Sequence, residues 1–243
     1  MPGPDTPTAR CAIIVSHGQP SDPDPAEAGL AAFTADVAKA LPGWRIESAT
    51  LAAPGALDTQ LEACPPDPLI YPMFMSQGWF TGDNLRKRLG SHPAQLLLPF
   101  GVDPHLPDMA AQLLQGVLDK ATWSAAETQL FIPGHGSGRS PNSARDTYAF
   151  AEALKERIHF GEQRVGFVEQ DPSLVDMATG LGPKSICLPF FAARGGHVVD
   201  DITEALEKAA FSGIRLDPIG CAPEAPALVA RALRRAQVKE AAA

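Results

Sequence analysis

The stretch Leu130-Phe131-Ile132-Pro133-Gly134-His135-Gly136-Ser137 has an earlier counterpart in Ala12-Ile13-Ile14-Val15-Ser16-His17-Gly18-Gln19, and the two histidines stand 118 residues apart. Each is an apolar run closed by a His-Gly step. Downstream, Ala53-Pro54-Gly55-Ala56-Leu57 answers Asp171-Pro172-Ser173-Leu174, and Tyr71-Pro72-Met73-Phe74-Met75-Ser76-Gln77-Gly78 answers Leu188-Pro189-Phe190-Phe191-Ala192-Ala193-Arg194-Gly195, at offsets of 118 and 117. Landmarks that recur in order at one spacing mark an internal duplication. The 243-residue chain therefore divides into a first domain, residues 1–122, and a second, residues 123–243. Domains of about 120 residues bury enough surface to fold alone.

Within each half, short apolar runs alternate with stretches of helical spacing. The expected strands are Cys11–Ser16, Glu47–Ala52, Leu69–Pro72 and Gln95–Pro99, then Thr128–Pro133, Arg164–Glu169, Lys184–Pro189 and Gly213–Pro218. The expected helices are Ala26–Leu41, Ala56–Ala63, Thr81–Leu89 and Leu106–Lys120, then Ala144–His159, Ser173–Thr179, Val199–Ala210 and Glu224–Arg235. Strand–helix alternation with right-handed crossovers gives parallel sheets covered on both faces. The expected architecture is α/β: two tandem flavodoxin-like, doubly wound domains, each with a parallel four-stranded sheet.

Composition narrows the function. The formal charge is −8 and no Lys/Arg-rich run interrupts it, which argues against a nucleic-acid partner. No apolar stretch approaches the roughly 20 residues of a membrane span, and the Pro-rich start lacks the pattern of a signal or transit peptide. A soluble, cytoplasmic protein is expected, either monomer or homodimer. Cys11, Cys64, Cys187 and Cys221 form no C-x-x-C and are read as small buried hydrophobes.

Open parallel sheets bind ligands beyond the carboxyl ends of their strands, and the repeated motifs fall there. Gly and Pro at these mouths serve as turn chemistry too, so position alone does not make a site. The two halves differ in their polar residues. Aligned motif by motif, Phe80 of the first half lies opposite His197, and Leu51 lies opposite Glu169. The second half alone presents His135, Glu169 and His197 at three strand mouths, while the first retains only His17 as a secondary candidate. Two imidazoles and a carboxylate suit one divalent ion, iron, cobalt, nickel or zinc, and leave coordination positions open. Other readings fail. Arg139 stands where a dinucleotide fingerprint needs its third glycine, Ser137 lacks the flanking glycines of a nucleophile elbow, and His92, His105 and His159 are read as surface or capping residues.

The H-G-S start, the Phe167-Val168-Glu169-Gln170-Asp171-Pro172-Ser173-Leu174 segment and the Leu188-to-Ile202 segment resemble the class II tetrapyrrole chelatases, in particular the CbiX and SirB group acting on sirohydrochlorin. Gly101-Val102-Asp103-Pro104 and Gly220-Cys221-Ala222-Pro223 are similar to that family's fourth motif. The resemblance implies the class II chelatase fold and a lyase that inserts a metal into a tetrapyrrole. It also implies metal-handling and catalytic roles for His135, Glu169 and His197. The absence of a His-rich stretch and of a C-terminal Cys pair favours Fe2+ over Co2+ as the inserted metal, and a non-catalytic metal or tetrapyrrole carrier is the rival of a different class. No organic cofactor is required, because metal exchange for pyrrole protons involves no redox step. The implied substrate is a polycarboxylate. Arg139, Arg145 and Arg194, whose planar forks suit carboxylates, together with Ser137, Gly195 and Gly196, are its candidate contacts, with plain loop, surface or capping roles as the alternative for each. Asn142 and Ser143 are read as the cap of the helix that follows.

Overall fold

A computed structural model describes residues 10–21, 23–78, 80–138 and 140–241. Arg139, singled out in the sequence, lies outside the described residues. The chain runs β1 (Cys11–Ser16), α1 (Pro23–Lys39), β2 (Arg45–Thr50), α2 (Ala56–Ala63), β3 (Leu69–Pro72), α3 (Leu85–Leu89), β4 (Gln95–Leu96) and α4 (Leu106–Ala121). It continues with β5 (Gln129–Gly134), α5 (Asn142–Lys155), β6 (Glu162–Phe167), α6 (Leu174–Ala178), β7 (Ser185–Cys187), α7 (Ile202–Lys208), β8 (Ile214–Arg215) and α8 (Ala225–Ala241). Two four-stranded sheets form, in the orders β2-β1-β3-β4 and β6-β5-β7-β8, with every pairing parallel.

The apolar runs become the central strands because a parallel strand covered on both faces has no solvent side to make polar. Ala12 to Val15 and Leu130 to Ile132 are completely buried. Around β1, Ile13, Val15, Ala49 and Ile70 pack on Leu57 and Leu61 of α2 and Leu85 and Leu89 of α3. Around β5, Phe131 and Cys187 pack on Leu174 and Ala178 of α6 and Ile202, Ala205 and Leu206 of α7. Burying each such large side chain contributes about 1.5–3 kcal/mol, so these clusters hold the helices against the central strands.

Backbone contacts divide the described residues into two compact units, one within residues 10–74, 80–99 and 226–241, the other within residues 75–78 and 100–225. Each sheet lies within one unit. The helix after each sheet's last strand does not: α4 groups with β5–β8, while α8 from Pro226 onward groups with β1–β4. Among the described residues, no helix is long and apolar enough to cross a membrane.

Several expectations need correction. The helices after β3 and β7 each begin with a π-helical turn, Phe80–Asn84 and His197–Asp201, where ordinary α-helix was expected. α5 starts at Asn142 with no side-chain cap, so Asn142 and Ser143 lie inside the helix rather than capping it. Cys11 and Cys64 form a disulfide that ties β1 to the end of α2, so only Cys187 is a buried free thiol, pushed up to about 12 by its burial. Cys221 is exposed.

Candidate active site

The order β6-β5-β7-β8 reverses direction at β5, and the crevice at such a switch point is where open α/β sheets hold ligands. His135 follows β5 directly. The ladder runs on past the strand end: Val168 N–H donates to the Gly134 carbonyl at 3.1 Å and Glu169 N–H to the His135 carbonyl at 3.0 Å. Glu169 is thereby fixed beside His135 by backbone alone. The β7 side is extended in the same way, with Phe190 N–H donating to the Pro133 carbonyl at 2.8 Å. Gly220 N–H donates to the Phe191 carbonyl at 3.0 Å. A side chain at Gly220 would collide with the Ala192 carbonyl oxygen, so glycine is what lets the fourth motif close against this loop. The chain then turns through Gly195, whose carbonyl accepts from Val198 and Val199, and delivers His197 at the first position of its π-helical turn.

The three side chains converge. One ligand atom from each of His135, Glu169 and His197 lies within 4.8 Å of the others, a separation one ion can span. The imidazoles meet edge to face with ring centroids 4.6 Å apart, and Glu169 Oε2 is 3.8 Å from His135 Nδ1. All three are partly exposed, so a ligand reaches them without unfolding anything. Nδ1 of His135 lies 2.9 Å from the Gly136 carbonyl oxygen. A carbonyl only accepts, so Nδ1 carries the proton and the lone pair is on Nε2. Gly136 makes this possible with φ +69°, and a Cβ there would meet Gln170 Cγ at 2.7 Å and Phe167 Cβ at 2.9 Å. At His197, Nδ1 is 2.6 Å from Asp201 Oδ2, again leaving Nε2 for another partner.

The other anticipated residues divide. Ser137 N–H donates to Gln170 Oε1 at 2.9 Å, and its Oγ accepts from Ser140 N–H at 3.2 Å, so it serves the loop beside His135. Arg145 Nε donates to Asp146 Oδ1 at 3.0 Å, and that buried carboxylate also accepts from Gln77 N–H at 2.8 Å. Arg194 makes a two-point contact with Asp217, Nε to Oδ1 at 3.0 Å and Nη2 to Oδ2 at 2.5 Å, which holds its guanidinium pKa up. Gly195 has open space where a Cβ would stand, and Gly196 lies 3.6 Å, measured the same way, from Asp200 Oδ2. The structure brings His135, Glu169 and His197 together and holds both described arginines in ion pairs.

Sequence reasoning passed over Asp201 and Phe191. The His-x-x-x-Asp spacing of His197 and Asp201, one helical turn, was the available signal for the first. Phe191, its ring 6.4 Å from that of His135, walls the site and had no polar signal to find. The alignment of the halves also needs correction. Leu51 N–H donates to the Ser16 carbonyl and Ala52 N–H to the His17 carbonyl, so Ala52, not Leu51, is the counterpart of Glu169. Leu51 corresponds to Val168 and is buried. Ser16 pairs with Thr50 and Gly134 with Phe167, so the second half is one residue shorter between its first two strands, and the offset falls from 118 to 117 there.

Comparison with known proteins identifies the family. The CbiX family model matches residues 129–236, which contain all three converging side chains. A solved structure described as CbiX, the terminal enzyme for biosynthesis of siroheme in denitrifying bacteria, is 39% identical, with a TM-score of 0.84 over 93% of this chain and 99% of that one. SirB from Bacillus subtilis with Fe3+ shares the fold at 16% identity, with a TM-score of 0.74 over 93% and 94% of the two chains. A probable sirohydrochlorin cobaltochelatase of Halobacterium salinarum is 24% identical over 162 residues, and the match spans about half the length of that relative, 55%. On the strength of the 39%-identical relative, matched over nearly its whole length, the chain belongs to the CbiX family of metal chelatases.

Proposed function

We propose that this chain inserts ferrous iron into sirohydrochlorin to give sirohaem, with His135, Glu169 and His197 as the residues that hold the metal and take up the pyrrole protons. The observation that carries the reading is the convergence of the three ligand atoms within 4.8 Å at the sheet's switch point, with both imidazole Nδ1 atoms already engaged. Metal insertion needs an ion with exchangeable positions and a base for the N–H protons it displaces. Three protein ligands leave such positions open. A neutral imidazole released from the ion as it moves to the macrocycle has a free ring-nitrogen lone pair to accept a proton. Glu169 offsets the ion's charge before transfer and offers the protons a partly exposed way out.

On this reading the second domain, residues 123–243, carries the active site, and the first, residues 1–122, carries a degenerate copy with His17 in a secondary role. Arg194 exchanges an exposed ion pair with Asp217 for a substrate carboxylate, a weak competition because such a pair is solvated and screened, while Arg145 is held more firmly by the buried Asp146. Iron is favoured by the description of the 39%-identical relative as a siroheme enzyme. The name of the Halobacterium relative supports a second reading, cobalt insertion toward cobalamin. An anaerobic assay with sirohydrochlorin and ferrous or cobaltous ion, followed by absorbance, tests both. Many turnovers per protein with iron support the first reading, and preference for cobalt at limiting metal supports the second. Stoichiometric binding without turnover would make the protein a metal or tetrapyrrole carrier.

A further inference from the structure

We propose that Asp201 is a positioning residue for His197: it holds the imidazole by Nδ1 so that Nε2 is the atom offered to the metal. This rests on the reading of His197 as a metal-holding residue and names a partner that acts through it.

The contact is 2.6 Å between His197 Nδ1 and Asp201 Oδ2, a charge-assisted length. A carboxylate only accepts, so the bond selects the Nδ1–H tautomer. It also removes rotational freedom from a ring that is otherwise partly exposed. As a contribution to folding such an exposed pair is small. Its effect is on the ring's tautomer and orientation, and carboxylates placed this way behind a metal-binding histidine change metal affinity or activity by about 10–100-fold.

The internal duplicate supplies an independent observation. The π-helical turn Phe80–Asn84 matches His197–Asp201 position for position. Phe80 stands for His197 and Asn84 for Asp201, while Asp83 still stands for Asp200. Where the histidine is gone, the fourth residue after it has lost its charge and the acid next to it has not. Asn84 Oδ1 instead accepts from Arg88 Nε at 3.1 Å, an ordinary contact along one helix face. The carboxylate at 201 thus goes with the histidine rather than with the turn. The turn is braced elsewhere, by Arg215, which donates to Thr203 Oγ1 at 2.7 Å and to the Val198 carbonyl at 2.5 Å. Removing Asp201 therefore leaves the backbone in place.

The test is Co2+ binding to the full-length metal-free protein, followed by the visible absorbance of the bound ion, together with nitrogen-15 NMR of the histidine rings. Asp201→Ala is expected to weaken Co2+ binding about 10–100-fold and to shift His197 toward the Nε2–H tautomer. Asp201→Asn, nearly isosteric, retains an acceptor and is expected to lose less. Asp200→Ala, the neighbouring acid, should stay within about twofold of wild type if outer-shell support is specific to Asp201. An unchanged Co2+ affinity and an unchanged His197 tautomer in Asp201→Ala and Asp201→Asn would overturn the proposal, as would equal losses in the Asp200 and Asp201 variants. These readouts need no turnover, so a failure of chelatase activity in the wild-type protein would count against the proposed function and not against this role.

Discussion

At the mouth of β1, His17 places Nδ1 3.0 Å from the Gly18 carbonyl oxygen; at the mouth of β5, His135 places Nδ1 2.9 Å from that of Gly136. The two glycines hold nearly the same positive φ, 74° and 69°, and each histidine carbonyl accepts the N–H of the residue two beyond the neighbouring strand. Both units then leave their third strand through a π-helical turn of five residues. Against this shared backbone the side chains diverge: Ala52 for Glu169, Phe80 for His197, Asn84 for Asp201. A π-turn in an α-helix is often taken as a sign of function. Here it persists in the half that lacks counterparts of Glu169, His197 and Asp201, so the turn and the His-Gly loop belong to the fold, and the two halves differ in three side chains placed on it.

The largest expected effect follows from that contrast. His135→Ala and His197→Ala should each lower chelatase turnover by about 100-fold or more, the scale of losing a positioned ligand and base, while His17→Ala should cost less than about threefold. Anaerobic initial rates on folded protein check this, and a matching loss at His17 would break the asymmetry. The register correction gives a sharper experiment. Ala52 is partly exposed, so Ala52→Glu with Phe80→His and Asn84→Asp should add a second Co2+ site in the first unit, read by titration. Leu51→Glu should instead destabilise that unit by several kcal/mol, because it places an unpaired charge among Ala49, Leu57 and Leu61. Denaturant unfolding decides between positions 51 and 52.

Smaller effects probe Glu169 and the arginines. Glu169→Gln should lower turnover at limiting iron about tenfold while sirohydrochlorin binding, followed by its absorbance, persists. Arg194→Ala should raise KM for sirohydrochlorin about threefold with kcat little changed, because a carboxylate far from the reacting nitrogens is held alike in ground and transition states. Added salt should mimic part of that loss. The Asp217 contact is the reason to expect no more: Arg194 is engaged before substrate arrives.

Much of this was legible in the residues. The buried centres of β1 and β5 are uninterrupted apolar runs, and the duplication points to both strand mouths and to His135, Glu169 and His197, whose ligand atoms converge. What escaped detection depended on contacts that a linear pattern does not carry. The one-residue slip between β5 and β6 is visible only in the ladder hydrogen bonds that pair Glu169 with His135. The grouping of α4 and α8 with the opposite sheets is decided by tertiary packing, since an amphipathic helix shows that it has a buried face but not which sheet covers it. Cys11 and Cys64 are 53 residues apart in sequence, and their pairing follows from β1 meeting the end of α2. The engagement of Arg194 likewise rests on Asp217, 23 residues downstream.

The central claim, one metal-holding centre in the second half and none in the first, is tested most directly by anomalous diffraction from crystals soaked anaerobically in Co2+. The expected result is a single strong peak bounded by His135, Glu169 and His197. A peak of equal strength at His17, or no peak among those three residues, would contradict it.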